Sequence, residues 1–127
     1  MPDIRAQYHF RKSGDDVFVW DVRRLVAQSE QLPIVRVAIG EIAELDESYW
    51  YSHGSPTCRS IAEHALLIEA ADLSHPIILD STKRVMDGMH RVCKALNLGM
   101  DTISAVRFVV DPKPDHVNVE PQDLPYD

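Results

Sequence analysis

Residues 76–91 constrain the fold most, because the apolar pattern changes period inside them. Pro76-Ile77-Ile78-Leu79 is a short apolar run bounded by turn formers, the signature of a buried strand. Ser81-Thr82-Lys83 suits a turn, and Arg84-Val85-Met86 reads as the return strand. From Met89 onward the spacing is helical. Met89, Val92, Cys93 and Leu96 share one face, with His90, Arg91 and Lys94 off it. Gly99 follows as a left-handed stop. A β-hairpin therefore runs straight into a helix, and Asp87-Gly88 is the junction.

That junction is a place for chemistry. The first amides of a helix lack internal partners and sit at its positive end. Gly88 has no Cβ, so a ligand can approach the backbone closely. An anion such as phosphate suits the amides of Gly88 and Met89, with His90 and Arg91 beside them. Asp87 would repel a bare phosphate. The conflict disappears if Asp87 binds a divalent cation, or accepts hydrogen bonds from the turn or a sugar hydroxyl. A structural reading stands beside this one. Asp before Gly at a helix start is common capping chemistry, and His90 and Arg91 then lie on a solvated polar face.

The preceding chain predicts a hairpin over residues 6–20 with its turn at Ser13–Asp16. Asp21 then caps a helix over residues 22–31 that Pro33 stops. Ile34–Val37 is the next strand. Residues 40–46 read as a short acidic helix on which Glu41 and Glu44 share a face. They are a base or a metal ligand, or else a solvated acidic surface. Residues 48–55 hold Tyr49, Trp50, Tyr51 and His53, a loop or lid. Trp50 there either stacks on a nucleobase or plugs the sheet.

Ser55-Pro56-Thr57 starts a helix running to Ala71, with Cys58, Ile61, Ala65 and Ile68 as its apolar stripe. Thr57, Arg59 and Ser60 lie in its first turn, able to face an anion, and His64 reads as a half-buried structural histidine. A long strand over residues 103–110 follows. Residues 112–127 read as an extended, acidic, Pro-rich tail, mobile or draped over a partner.

The 127 residues suit one α+β domain over residues 1–111, a small mixed sheet with flanking helices. Its hairpin and helix occupy 5–32 and its core 34–110. A net charge of −7 argues against general nucleic-acid binding, which needs a positive face to release counterions. Arg5, Arg11, Lys12, Arg23 and Arg24 leave a local basic patch open. The histidines and cysteines lack zinc spacing. No Gly-x-x-x-x-Gly-Lys-Ser loop is present, so a bound nucleotide must use the Asp87–Arg91 turn. Without a signal or membrane-spanning run, and with two cysteines in helices, a reduced cytoplasm is the expected setting. Self-association is left open.

The strand at Pro76–Asp80, the Arg84–Arg91 stretch ending in Asp-Gly-x-His-Arg, and the strand at Thr102–Phe108 resemble the ParB/sulfiredoxin-like family, often labelled the ParB-like nuclease domain. Ile34–Val37 followed by Ile39–Ile42 is similar to its entrance strand and short helix, so the resemblance spans residues 34–108. Sulfiredoxins carry their catalytic cysteine where Met89 stands, which argues against that chemistry. Chromosome-partitioning ParB proteins carry Gly-Glu-Arg-Arg and bind cytidine nucleotides; Gly88 and Arg91 match. The free-serine kinases carry Asp-Gly-His-His-Arg; Asp87, Gly88, His90 and Arg91 match, and Met89 departs.

The kinase resemblance implies magnesium-dependent phosphoryl transfer from a nucleotide (ATP, ADP or CTP) to a small molecule. Asp87 would bind the cation, Gly88, Met89, His90 and Arg91 would bind phosphate, and Glu41 or Glu44 would act as base. The alternative is a non-catalytic nucleotide-sensing or DNA-associated adaptor. ParB proteins follow this domain with a helix-turn-helix region, for which the short segment after Asp111 has no room. That argues against sequence-specific DNA binding.

Overall fold

A computed structural model of the chain describes residues 7–51 and 54–126. Met1-Pro2-Asp3, Arg5, the strand start at Ala6, and Ser52 and His53 of the aromatic stretch lie outside the described residues. The elements run β1 (Tyr8–Ser13), β2 (Asp16–Asp21), α1 (Val22–Ser29), β3 (Val35–Ala38), α2 (Cys58–Ala70), β4 (Ile77–Leu79), β5 (Val85–Asp87), α3 (Met89–Asn97), β6 (Thr102–Arg107) and β7 (His116–Val117). The fold is α+β, built on two small sheets rather than one.

The larger sheet has the order β3-β6-β4-β5. β6 lies antiparallel to β3 and parallel to β4, and β5 returns antiparallel to β4. A parallel pair needs a crossover, which β5 and α3 provide. β4 is buried on both faces. Ile77 and Leu79 join Met89, Val92, Ile103 and Ala105 on the α3 side, while Ile78 joins Trp20, Leu25, Met86 and Val106 on the other. This is the period-2 alternation of a central strand between two layers.

Asp80 shapes the turn after β4. It is fully buried and accepts from Thr82 N, Thr82 Oγ1, Arg84 N and Arg11 Nη1 at 2.7–2.9 Å. Four donors offset the cost of taking a carboxylate out of water.

Several expectations need correction. Residues 40–46 form no continuous helix. Two short 3₁₀ turns, Ile39–Glu41 and Ala43–Asp46, flank an extended Ile42. Burial of both Ile39 and Ile42 forces that break, and it turns Glu44 inward while Glu41 stays exposed. On α2 the partly buried stripe is Ser60, His64 and Ile68, while Cys58, Ile61 and Ala65 face out. On α3 the buried face is Met89, Val92 and Ala95, and Leu96 is half exposed. β6 stops at Arg107, leaving Val109 and Val110 exposed.

The tail packs against the fold of its own chain. β7 adds to the edge of β2, giving a three-stranded sheet β1-β2-β7. Trp20 Nε1 donates to the Pro112 carbonyl at 2.9 Å, Asp115 Oδ2 accepts from Asp21 N at 2.8 Å, and Leu124 is buried. An unpaired β2 edge would expose backbone donors and acceptors, which this segment covers. Acids from several segments neutralise the basic patch. Arg11 pairs with Asp80 and Asp111, Arg23 with Asp21, and Arg24 with Asp115. Among the described residues no helix is long and apolar enough to cross a membrane.

Candidate functional site

The turn from β5 into α3 places Gly88 as the helix N-cap, at φ +106° and with no side-chain capping bond. A Cβ there would lie 2.7 Å from Ile77 Cγ2 and 3.1 Å from Arg91 Nη2. Glycine is therefore required twice, for the left-handed backbone and for close seating of α3 on β4. Arg91 is committed within the fold. Its Nη2 bonds Asp87 Oδ2 at 2.8 Å, and its Nη1 donates to the carbonyls of His75 and Pro76 at 3.0 and 2.7 Å. The guanidinium ties the helix start to the strand start. Asp87 Oδ1 keeps no hydrogen-bond partner among the described residues.

His90 and His64 meet across the α2–α3 contact, with Nε2 of one 2.9 Å from Nδ1 of the other. Trp50 stacks on both rings at 4.3 and 4.5 Å, and the two imidazole centroids are 5.1 Å apart. Rings on opposite faces of the indole would be nearly twice as far apart. Both imidazoles therefore lie under one face of Trp50, edge to edge. Ser60 Oγ donates to the Tyr51 hydroxyl at 3.0 Å, and Tyr51 meets His64 edge-on. Burial, and then His64, hold the His90 pKa below its ordinary value of 6.5, with Asp87 opposing. His90 is thus neutral at pH 7, able to hold or accept one proton at the shared position.

Glu44 runs along the free edge of β5. It is 2% exposed; its Oε2 accepts from Val85 N and lies 3.5 Å from Arg84 Nε. Its Oε1 is buried with no hydrogen-bond partner among the described residues. Tyr49 reaches the Val85 carbonyl on the same edge. Its pKa is pushed up to about 12 by burial, and then by Glu44 and Asp87, with Arg84 opposing.

Beside Glu44 opens a cavity of about 240 Å³, whose lining includes His9, Arg11, Glu47, Ser48, Tyr49 and Arg84. Its cations are already paired. Arg84 grips Glu47 through both Nη atoms, at 2.7 and 2.6 Å, and Arg11 holds Asp80 and Asp111. Burial, then Arg11 and Arg84, lower the His9 pKa to about 4 against the pull of Asp80, so the ring is neutral. The cavity favours a hydrogen-bond donor over a phosphate.

The structure thus gathers Glu44, Trp50, Asp87, Gly88, Met89, His90 and Arg91 around β5 and the start of α3. Met89 is buried in the core. Glu41 is exposed on its own turn. Thr57 caps α2 by accepting from Ser60 N, and Arg59 is exposed. Neither makes a side-chain bond to the β5–α3 turn among the described residues. The sequence reading had no partner for His64; its pairing with His90 needs the α2–α3 crossing, which helical spacing does not give. No group of three His, Cys, Asp or Glu among the described residues is placed to hold a metal ion. Compared with family models, curated proteins and solved structures, the chain matches none.

Proposed function

We propose that the chain binds a nucleotide at the β5–α3 turn and transfers its terminal phosphoryl group, with magnesium, to a small hydroxyl-bearing molecule held against Glu44. The observation that carries this reading is Glu44 Oε1. A buried acceptor left unpaired costs about 1–3 kcal/mol. Here it lies on a residue lining a cavity whose cations are otherwise paired. Such an oxygen can take a proton from a hydroxyl brought within hydrogen-bond reach.

Gly88 and Met89 would present amides to the phosphates, with neutral His90 beside the transferring group. The described residues build no metal cage. Asp87 Oδ1 can supply one oxygen to a magnesium ion that the nucleotide's own phosphates hold, in keeping with how that ion is usually bound. When bound, the ion neutralises charge on the phosphates. A base would stack on Trp50. The resemblance over residues 34–108 supports phosphoryl transfer as the reaction class, and ATP, ADP and CTP are the nucleotides it implies.

Arg91 favours a second reading. Its three bonds within the fold withdraw the turn's guanidinium from a ligand. That suits a non-catalytic nucleotide-sensing or DNA-associated adaptor. Melting curves with each nucleotide, with and without magnesium, combined with turnover assays against small hydroxyl compounds, separate the two. Catalysis predicts a raised Tm in wild type and in Glu44→Gln, with turnover in wild type only. A raised Tm without turnover in either supports the adaptor. No shift with any nucleotide overturns catalysis and nucleotide sensing alike and leaves the DNA-associated adaptor.

A further inference from the structure

Helix α2 has no fully buried residue, and Leu66 on it is 70% exposed. Ser60, His64 and Ile68 face α3 and Trp50. The opposite face carries Arg59, Ala62, Leu66 and Glu69, all exposed. Their spacing of three, four and three is that of a helix–helix seam. Neither Arg59 nor Glu69 has a side-chain ion-pair partner among the described residues.

The seam is complementary to a reversed copy of itself. Two such helices laid antiparallel about a two-fold axis level with residue 64 bring Arg59 against Glu69 of the second copy and Ala62 against its Leu66. The small alanine makes room for the leucine, and the opposite charges fix the direction. A parallel alignment would set Arg59 against Arg59 and Glu69 against Glu69. Self-complementarity of this kind is what a two-fold interface requires. We propose that α2 docks antiparallel on α2 of a second copy of this chain. A 13-residue helix is about 20 Å long, so the contact is smaller than a standard stable interface. Glu63 also borders the seam next to its own copy. The pairing is therefore weak and concentration-dependent.

Sedimentation velocity of the full chain over a range of concentrations tests this, with circular dichroism to check that each variant folds. Wild type is expected to show a monomer–dimer equilibrium that Leu66→Lys abolishes. Arg59→Glu and Glu69→Arg should each weaken pairing by roughly tenfold, since an attraction becomes a repulsion in both symmetry-related pairs. The double swap Arg59→Glu/Glu69→Arg should restore it. A wild type that stays monomeric throughout overturns the proposal. So does a dimer that survives Leu66→Lys, or single charge swaps that the double swap fails to rescue.

Discussion

Two carboxylates, Asp80 and Glu44, lie equally deep in the molecule with opposite surroundings. Asp80 satisfies its oxygens with four donors, and Glu44 leaves one oxygen without a partner among the described residues. The first is structural. Asp80→Ala should cost about 3–5 kcal/mol in urea unfolding, because it strands the turn donors of Thr82 and Arg84 and leaves Arg11 with Asp111 alone. The second carries the oxygen on which the proposed function rests. Gly88 is structural whatever binds beside it: Gly88→Ala puts a methyl 2.7 Å from Ile77 at φ +106°. It should lower stability by about 2 kcal/mol or more in the same assay. The sequence showed that Gly88 mattered and offered ligand approach as the reason. The contact with Ile77 was hidden because it depends on how α3 seats on β4. Glu44 was legible only as one of a pair with Glu41, since helical spacing could not foresee the break at Ile42.

At the scale of elements, the hairpin running into α3 followed directly from the period change at Asp87-Gly88. The N-cap at Asp21 and the left-handed Gly99 were equally local and equally readable. Long-range arrangements were not. The segment 43–50 seals the open edge of β5 through Glu44 and Tyr49, and β7 seals that of β2. Asn118 anchors the second seal. At φ +58° it accepts from Val17 N at 2.8 Å and donates to Asp16 Oδ1 at 2.9 Å. Asn118→Ala should therefore cost about 1–2 kcal/mol, losing both bonds and straining the backbone, as read by thermal or urea unfolding. Of the apolar stripe expected on helix α2 only Ile68 turns inward, because that side is held by a histidine pair under Trp50 rather than by Cys58, Ile61 and Ala65. Trp50 should report that pair. His64→Ala should change its emission, and a spectrum identical to wild type would contradict the stacking.

Across the whole molecule, paired acids and neutral histidines set the pH response. His9 titrates near 4 in the fold against 6.5 when free. Between those values the unfolded chain binds more protons, so stability falls as pH drops from about 6.5 towards 4, by an amount on the order of 3 kcal/mol. For Asp80, burial raises the pKa, but hydrogen bonds from Thr82, Arg84 and Arg11 outweigh it and hold the group below its ordinary value. Its contribution is present above the unfolded pKa near 4 and is lost as pH falls through the lower folded value. Urea unfolding across pH should show both declines, with the first flattened in His9→Gln.

The central claim, a nucleotide at the β5–α3 turn, is tested most directly by a ¹⁵N-amide NMR titration with nucleotide and magnesium. The account predicts that the amides of Gly88, Met89 and His90 move most. A spectrum unchanged by every nucleotide, or shifts confined to residues away from that turn, would contradict it.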